Sequence, residues 1–176
     1  MTNTSFTAKD SFYGVMEDEA SVDLRAATGL SSDISLGSVS TTTYKCNSII
    51  KGSLQLAVDS NQELDLNALT GINNIAAVLT DVRAIMIKHS GYTTSAKAVT
   101  SATHIVVGGA TAGTDTFVGF VGDVTDTVKV FTGETLAFKA TKNGISIPVG
   151  ADKIKITNPS LTETVYVEYM IAGVKA

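Results

Sequence analysis

From about Tyr44 to its end, the chain is a succession of short runs in which apolar and polar residues alternate, separated by glycine, asparagine and aspartate. The last run, Thr164–Ile171, shows the pattern well. Val165, Val167, Tyr169 and Ile171 fall on one side, and Tyr166, Glu168 and Met170 on the other. A period of two is what a strand with one buried face requires. Ile50–Val58 repeats it: Ile50, Gly52, Leu54, Leu56 and Val58 share a face, and Lys51, Ser53 and Gln55 oppose them.

The same reading predicts further strands. Asp59-Ser60-Asn61 is a turn, and Leu64 and Leu66 open a short run. Val82–Lys88 is apolar enough to be buried on both faces. His104–Val107, Thr116–Val121, Thr127–Phe131, Thr135–Lys139 and Lys153–Thr157 follow. Thr132-Gly133-Glu134 reads as a short hairpin loop, Asn143-Gly144 as a turn, and Asn158-Pro159-Ser160 as the turn into the last strand. Asn67–Thr80 is ambiguous: Leu69, Ile72, Ile75, Ala76 and Leu79 approximate a helical stripe weakened by Gly71 and Asn73-Asn74. Tyr92–Thr103 reads as a long loop or weak edge element. Eight to ten strands at this spacing, with no long amphipathic helix between them, predict an all-β sandwich or barrel over residues 44–176.

Residues 1–43 differ. They are Ser/Thr-rich with a short acidic run, Glu17-Asp18-Glu19, and few apolar anchors. They read either as an extended N-terminal arm, with a helical turn or two over Ala20–Thr28, or as an ordinary frayed terminus. At 176 residues the chain suffices for one domain with a sizeable core. Its 24 threonines suit the solvent side of strands. A charged share of 17% and a net charge of −4 argue against a general affinity for nucleic acid. No apolar run approaches the ~20 residues that cross a bilayer, and Met1–Asp10 lacks a secretory pattern. Cys46 stands alone, so no intrachain disulfide forms, as expected of a protein made in a reducing compartment.

Chemistry is sparse. His89 and His104 have no partners at metal-ligand spacing, so both read as structural. Cys46 lacks a recognisable nucleophile context. Asp115, Asp123, Asp126, Glu134 and Asp152 lie near loops and read as turn formers, with calcium at one cluster as the lesser possibility. Gly108-Gly109 with Gly113 is not a phosphate loop, lacking the following Lys-Ser/Thr. Tyr13, Tyr44, Tyr92, Tyr166 and Tyr169 could line a sugar-binding surface, with core packing at least as good a reading. No catalytic, cofactor-binding or metal-ligating residue is therefore expected, and no cofactor.

Three stretches carry a resemblance. They are Leu64-Asp65-Leu66 leading to Val82–Ile87; Thr132-Gly133-Glu134-Thr135-Leu136; and Ile154-Lys155-Ile156-Thr157-Asn158-Pro159-Ser160 followed by Val165–Ile171 and Ala172-Gly173. Over residues 63–174 this texture resembles the small β-sandwich structural proteins of tailed bacteriophages, such as capsid cement or decoration proteins. The resemblance implies an antiparallel, jelly-roll-like sandwich without enzymatic activity. It implies a homo-oligomer, taken as a trimer, that binds a major capsid protein or other virion subunits, with residues 1–43 as a contact arm. Its place would be the virion, after synthesis in the host cytoplasm, with no nucleic-acid or membrane partner. A glycan- or receptor-binding module is the alternative, and a tail or neck accessory protein a variant of the first.

Overall fold

The structure, a computed structural model, describes residues 4–8, 22–26, 34–36, 45–70, 76–110, 115–140 and 144–176. Its strands are β1 (Thr4–Ala8), β2 (Val22–Ala26), β3 (Ile34–Leu36), β4 (Lys45–Cys46), β5 (Ser48–Leu56), β6 (Ser60–Asp65), β7 (Leu69–Thr70) and β8 (Ala76–Ala77). They continue as β9 (Leu79–His89), β10 (His104–Gly108), β11 (Thr127–Phe131), β12 (Thr135–Lys139), β13 (Ile145–Ser146), β14 (Lys153–Asn158) and β15 (Val165–Lys175). No helix occurs among the described residues.

Two antiparallel sheets make the body. One runs β11-β10-β14-β6, the other β12-β9-β15-β5, with β13 extending the β12 edge along β9. Through the eight principal strands the chain changes sheet at every connection except β10 to β11. That path, with these neighbours, is the double Greek key of a jelly roll. The fold is thus the all-β, antiparallel sandwich that the alternation predicted. Inward residues of both sheets meet in one core: Ile50, Leu56, Ile85, Ile87, Val167 and Ile171 from one, Leu64, Ile105, Val107, Val130, Ile154 and Ile156 from the other.

β9 and β15 form the centre of the larger sheet, eleven residues each. As expected for β9, both of its faces are buried. Ile85 and Ile87 point to the core, while Ala84 and Met86 on the outer side are 4% exposed. Their outward neighbours Met170, Ala172 and Ile49 are equally covered. A third layer must bury them. The four-stranded sheet β1-β2-β3-β4 flanks this surface, with β2 beside β12 and β4 beside β15. Val22–Ala26 is a strand there and not the helical turn expected, because Val22 and Leu24 alternate with Asp23 and Arg25 and pair with β1.

One irregularity sets the register of the core. Ala84 pairs with Ala172 but Val82 pairs with Gly173, so Arg83 is an extra residue in β9. The bulge flips the alternation, which lets both Val82 and Ile85 face inward although three positions apart. The edge breaks at the same place: β12 ends opposite Ala84 and β13 begins opposite Val82. Gly144 fits there in the left-handed region (φ 75°), where a Cβ would lie 2.9 Å from Arg83 Nε.

Three further expectations are corrected. Thr132–Glu134 does not close a hairpin: β11 pairs with β10 and β12 with β9, in different sheets. The segment is a corner, because Val130 and Phe138 reach the shared core only if the chain crosses between layers there. Thr116–Val121 is not a strand. Only Thr116 bridges to Lys153, and the chain then turns, with Val121 N–H and Gly122 N–H both donating to Val118 C=O. Gly119 lies close against Ile145 and Phe117, where a side chain would not fit. Over 67–80, the described residues form the small pair β7–β8 and the start of β9 and no helix, with Ala77 and Leu79 in the core and Leu69 packed against it.

Gly52 lies directly opposite Tyr169, whose ring covers it so closely that a Cβ would enter the phenol. This is an aromatic filling the space over a strand glycine. Gly52→Ala should lower the urea unfolding free energy by about 2 kcal/mol or more through overpacking, and Gly52→Ala combined with Tyr169→Leu should recover part of it.

Candidate functional site

The jelly roll sorts its connections to two ends. Segments 57–59, 90–103, 132–134 and 159–164 share one end. Backbone bonds tie them together: Asp59 N–H to Ser160 C=O (2.9 Å), Tyr166 N–H to Tyr92 C=O (2.7 Å), Thr132 N–H to Thr103 C=O (3.0 Å) and Gly133 N–H to His89 C=O (3.0 Å). Threonine hydroxyls add more, Thr100 Oγ1 to Thr164 C=O and Thr132 Oγ1 to Ala102 C=O. Asn158 is fully buried and ties two of these loops together. Its amide donates to the carbonyls of Ala57 (2.9 Å) and Glu163 (2.8 Å) and its Oδ1 accepts from Ser160 N–H. From this end protrude Val58, Val99, Phe131 and Leu161, the last 75% exposed. Val78, Val124 and Val149 are exposed at the opposite end.

His89 sits inside the tied end. It is fully buried, its Nδ1 accepts from Gly91 N–H (3.1 Å), and Nε2 closes no hydrogen bond. Burial lowers its pKa below 6.5, opposed by the backbone of Ala102 and of His89 itself. The imidazole is a neutral core group. His104 lies on β10 near the surface, its ring 5.9 Å from Phe131 and its Nδ1 2.9 Å from Thr103 Oγ1. Cys46 is buried on the far side of the larger sheet, and burial pushes its thiol up to about 12 despite the nearby Arg83. Such a thiol is protonated and inert at neutral pH.

The carboxylates are dispersed. Glu134 belongs to the tied end, where its Oε2 accepts from Phe131 N–H. Asp115, Asp123, Asp126 and Asp152 belong to the opposite end. Asp123 Oδ1 accepts from Thr125 N–H and Thr125 Oγ1, both at 3.0 Å, which lowers its pKa. Asp126 accepts from Asp123 N–H, and Asp152 from Asn67 Nδ2. Asp115 pairs with Lys153 at 2.9 Å, and Glu63 stands 3.8 Å from the same ammonium. Each holds a turn, a surface ion pair or, for Asp152, a link between two loops. Among the described residues no three His, Cys, Asp or Glu side chains could hold a metal ion together. Gly108 and Gly109 both take positive φ where β10 leaves the sheet, and Gly109 N–H donates to Asp126 C=O. Gly113 lies outside the described residues.

The tyrosines divide. Tyr13 and Tyr44 lie outside the described residues, and Tyr169 is in the core. Tyr92 and Tyr166 meet at a depression of about 370 Å³ also lined by Lys88, Ser90, Thr94, Ser95, Lys97 and Glu168. Its floor is the outward side of β9 and β15, where Lys88 pairs in register with Glu168. Its wall is the 90–97 loop. Ser90 fixes that wall: Ser90 N–H and Oγ both donate to Tyr166 C=O, and Tyr92 N–H donates to Ser90 Oγ. A smaller hollow of about 180 Å³ lies between Ser101–His104 and Pro159-Ser160. The sequence reads Tyr92–Thr103 only as a long loop or weak edge element. The signal for the depression was the outward Tyr166 and Glu168 in the last strand, but their meeting with Tyr92 depends on a pairing across more than seventy positions.

No protein-family model matches the sequence, and no curated protein matches it. Three solved chains are similar in structure. One, described by the words "Bacillus endospore appendages form a novel family of disulfide-linked pili", aligns over 73% of this chain and 90% of that chain, at 14% identity with a TM-score of 0.35. A likeness that loose carries no information on function.

Two outcomes follow for the tied end. Asn158→Ala should cost about 2–4 kcal/mol, because buried carbonyls lose their donor; urea denaturation measures it. The folded chain binds fewer protons at His89 than the unfolded chain does, so stability is full above pH 6.5 and falls as pH drops below it. His89→Gln should flatten the unfolding midpoint across that descent while lowering it at neutral pH.

Proposed function

We propose that this protein is a non-enzymatic structural subunit, which works by attaching to other subunits through the tied end of its jelly roll. The observation that carries this reading is the commitment of that end to rigidity. Four loops are bonded into one plate whose polar groups are used on each other, with Val58, Val99, Phe131 and Leu161 left projecting. Apolar tips on a pre-ordered surface favour association, since little conformational entropy remains to be lost. The separated carboxylates and the neutral, enclosed His89 support a role without catalysis.

The finer form of the reading is a virion protein of a tailed bacteriophage. It is made in the host cytoplasm, assembles with copies of itself as a trimer, and cements or decorates the capsid by binding its major capsid protein. The jelly-roll path supports it only as an architecture that serves such roles among others.

The test uses the full chain. Sedimentation velocity should find a homo-oligomer, and the double variant Val99→Asp/Leu161→Asp should weaken its association by at least tenfold at an unchanged thermal midpoint. A monomer at every concentration, or an oligomer indifferent to both charges, overturns the role of this end. Co-sedimentation with phage capsids lacking a decoration protein tests the finer reading, which fails if the chain stays in the supernatant.

A further inference from the structure

The depression between Tyr92 and Tyr166 lies beside the apolar tips and shares the 90–103 loop with the tied end, and its construction is that of a ligand site. Its volume, about 370 Å³, falls in the range of small-molecule pockets. Two phenol rings contribute to its lining, and the hydroxyls of Thr94 and Ser95 supply groups that both donate and accept, Ser90 Oγ being committed to Tyr166 C=O and Tyr92 N–H. A flat aromatic face beside two-way hydroxyls and a carboxylate, Glu168, suits the alternating C–H faces and hydroxyls of a sugar ring. The lining carries two lysines against one glutamate, an excess of one positive charge. Lys88 stands opposite Glu168 in the ladder, whereas Lys97 comes from the loop, held at its turn by its own N–H to Thr94 C=O (3.0 Å).

The site is also fixed before any ligand arrives. Tyr166 is part of the central strand β15, and Tyr92 is locked to it in both directions, by Tyr166 N–H to Tyr92 C=O and through Ser90. Thr164 Oγ1 donates to Thr93 C=O and Thr93 N–H to Ala98 C=O (2.7 Å), which closes the loop on itself. Rings held this way lose little freedom on binding.

We propose that this depression binds a saccharide, and that it prefers a sugar carrying a carboxylate to its neutral counterpart. The rings of Tyr92 and Tyr166 take the sugar's faces, Glu168 and the loop hydroxyls take its hydroxyls, and Lys97 supplies the attraction for the acid.

The test is saturation-transfer NMR on the full chain. The probes are the methyl glycosides of glucose, galactose and mannose, each paired with its uronic acid. At least one pair should receive saturation, with the uronide bound at least threefold tighter than its neutral twin. Lys97→Gln, or high salt, should erase that difference without removing the neutral sugar's signal. Tyr166→Ala should remove both signals, and Tyr166→Phe should keep them. These outward side chains leave the core intact, so an unchanged thermal midpoint shows that each variant is folded. Silence across all six probes, or signals that survive Tyr92→Ala and Tyr166→Ala alike, overturns the site. A neutral sugar bound as tightly as its uronide overturns the preference. Neither result bears on oligomer formation at the apolar tips, which is measured separately.

Discussion

The ladder between β9 and β15 is the contact on which the remainder is built. Each strand is eleven residues long, and the two are hydrogen-bonded neighbours at the middle of the larger sheet. One side of the pair fills the core of the sandwich, while much of the other is sealed by a further layer. Strands buried on both faces must be apolar nearly throughout, and Ala84–Ile87 with Met170–Ala172 meets that demand. The outer side changes character along its length. Where Lys88, Tyr166 and Glu168 replace Met86 and Met170, the cover ends and the depression begins. A single pair of strands thus determines both where the molecule is sealed and where it is open.

Much of this was legible in the residues. The period of two placed β5, β14 and β15 with the correct inward face, because most residues opposite their core positions are polar. The two-sided burial of β9 was visible in its apolar run Ala84–Ile87. What escaped was pairing. Thr132-Gly133-Glu134 has the residues of a hairpin loop, and nothing local distinguishes a turn that doubles back from one that crosses between layers. Only the need of β9 for a partner along its outer edge, satisfied by β12 from Thr135 to Lys139, decides the matter. Thr116–Val121 alternated well enough to suggest a strand, but the tight space around Gly119 prevails there.

The candidate site was less readable for the same reason. The individual tyrosines could be listed from the sequence, and one of them, Tyr169, fell on the inward side of its strand. Its role is set by Gly52 across the ladder, a match no single stretch displays. Tyr92 and Tyr166 become neighbours only when the 90–97 loop folds back over the last strand. The bulge at Arg83 was equally hidden, since an extra residue in a strand leaves no compositional trace beyond a charged side chain in an apolar run.

Asn158 anchors the tied end and is followed at once by Pro159. Asparagine ages chemically when the next residue's backbone nitrogen attacks its side-chain amide, closing a ring that hydrolyses to a carboxylate. A proline nitrogen has no hydrogen to release and is already tied into its pyrrolidine. The amide that joins these two loops is therefore shielded from slow conversion to an acid that could no longer donate. The tied end thus escapes, at Asn158, a common route by which asparagine-held contacts are lost with age.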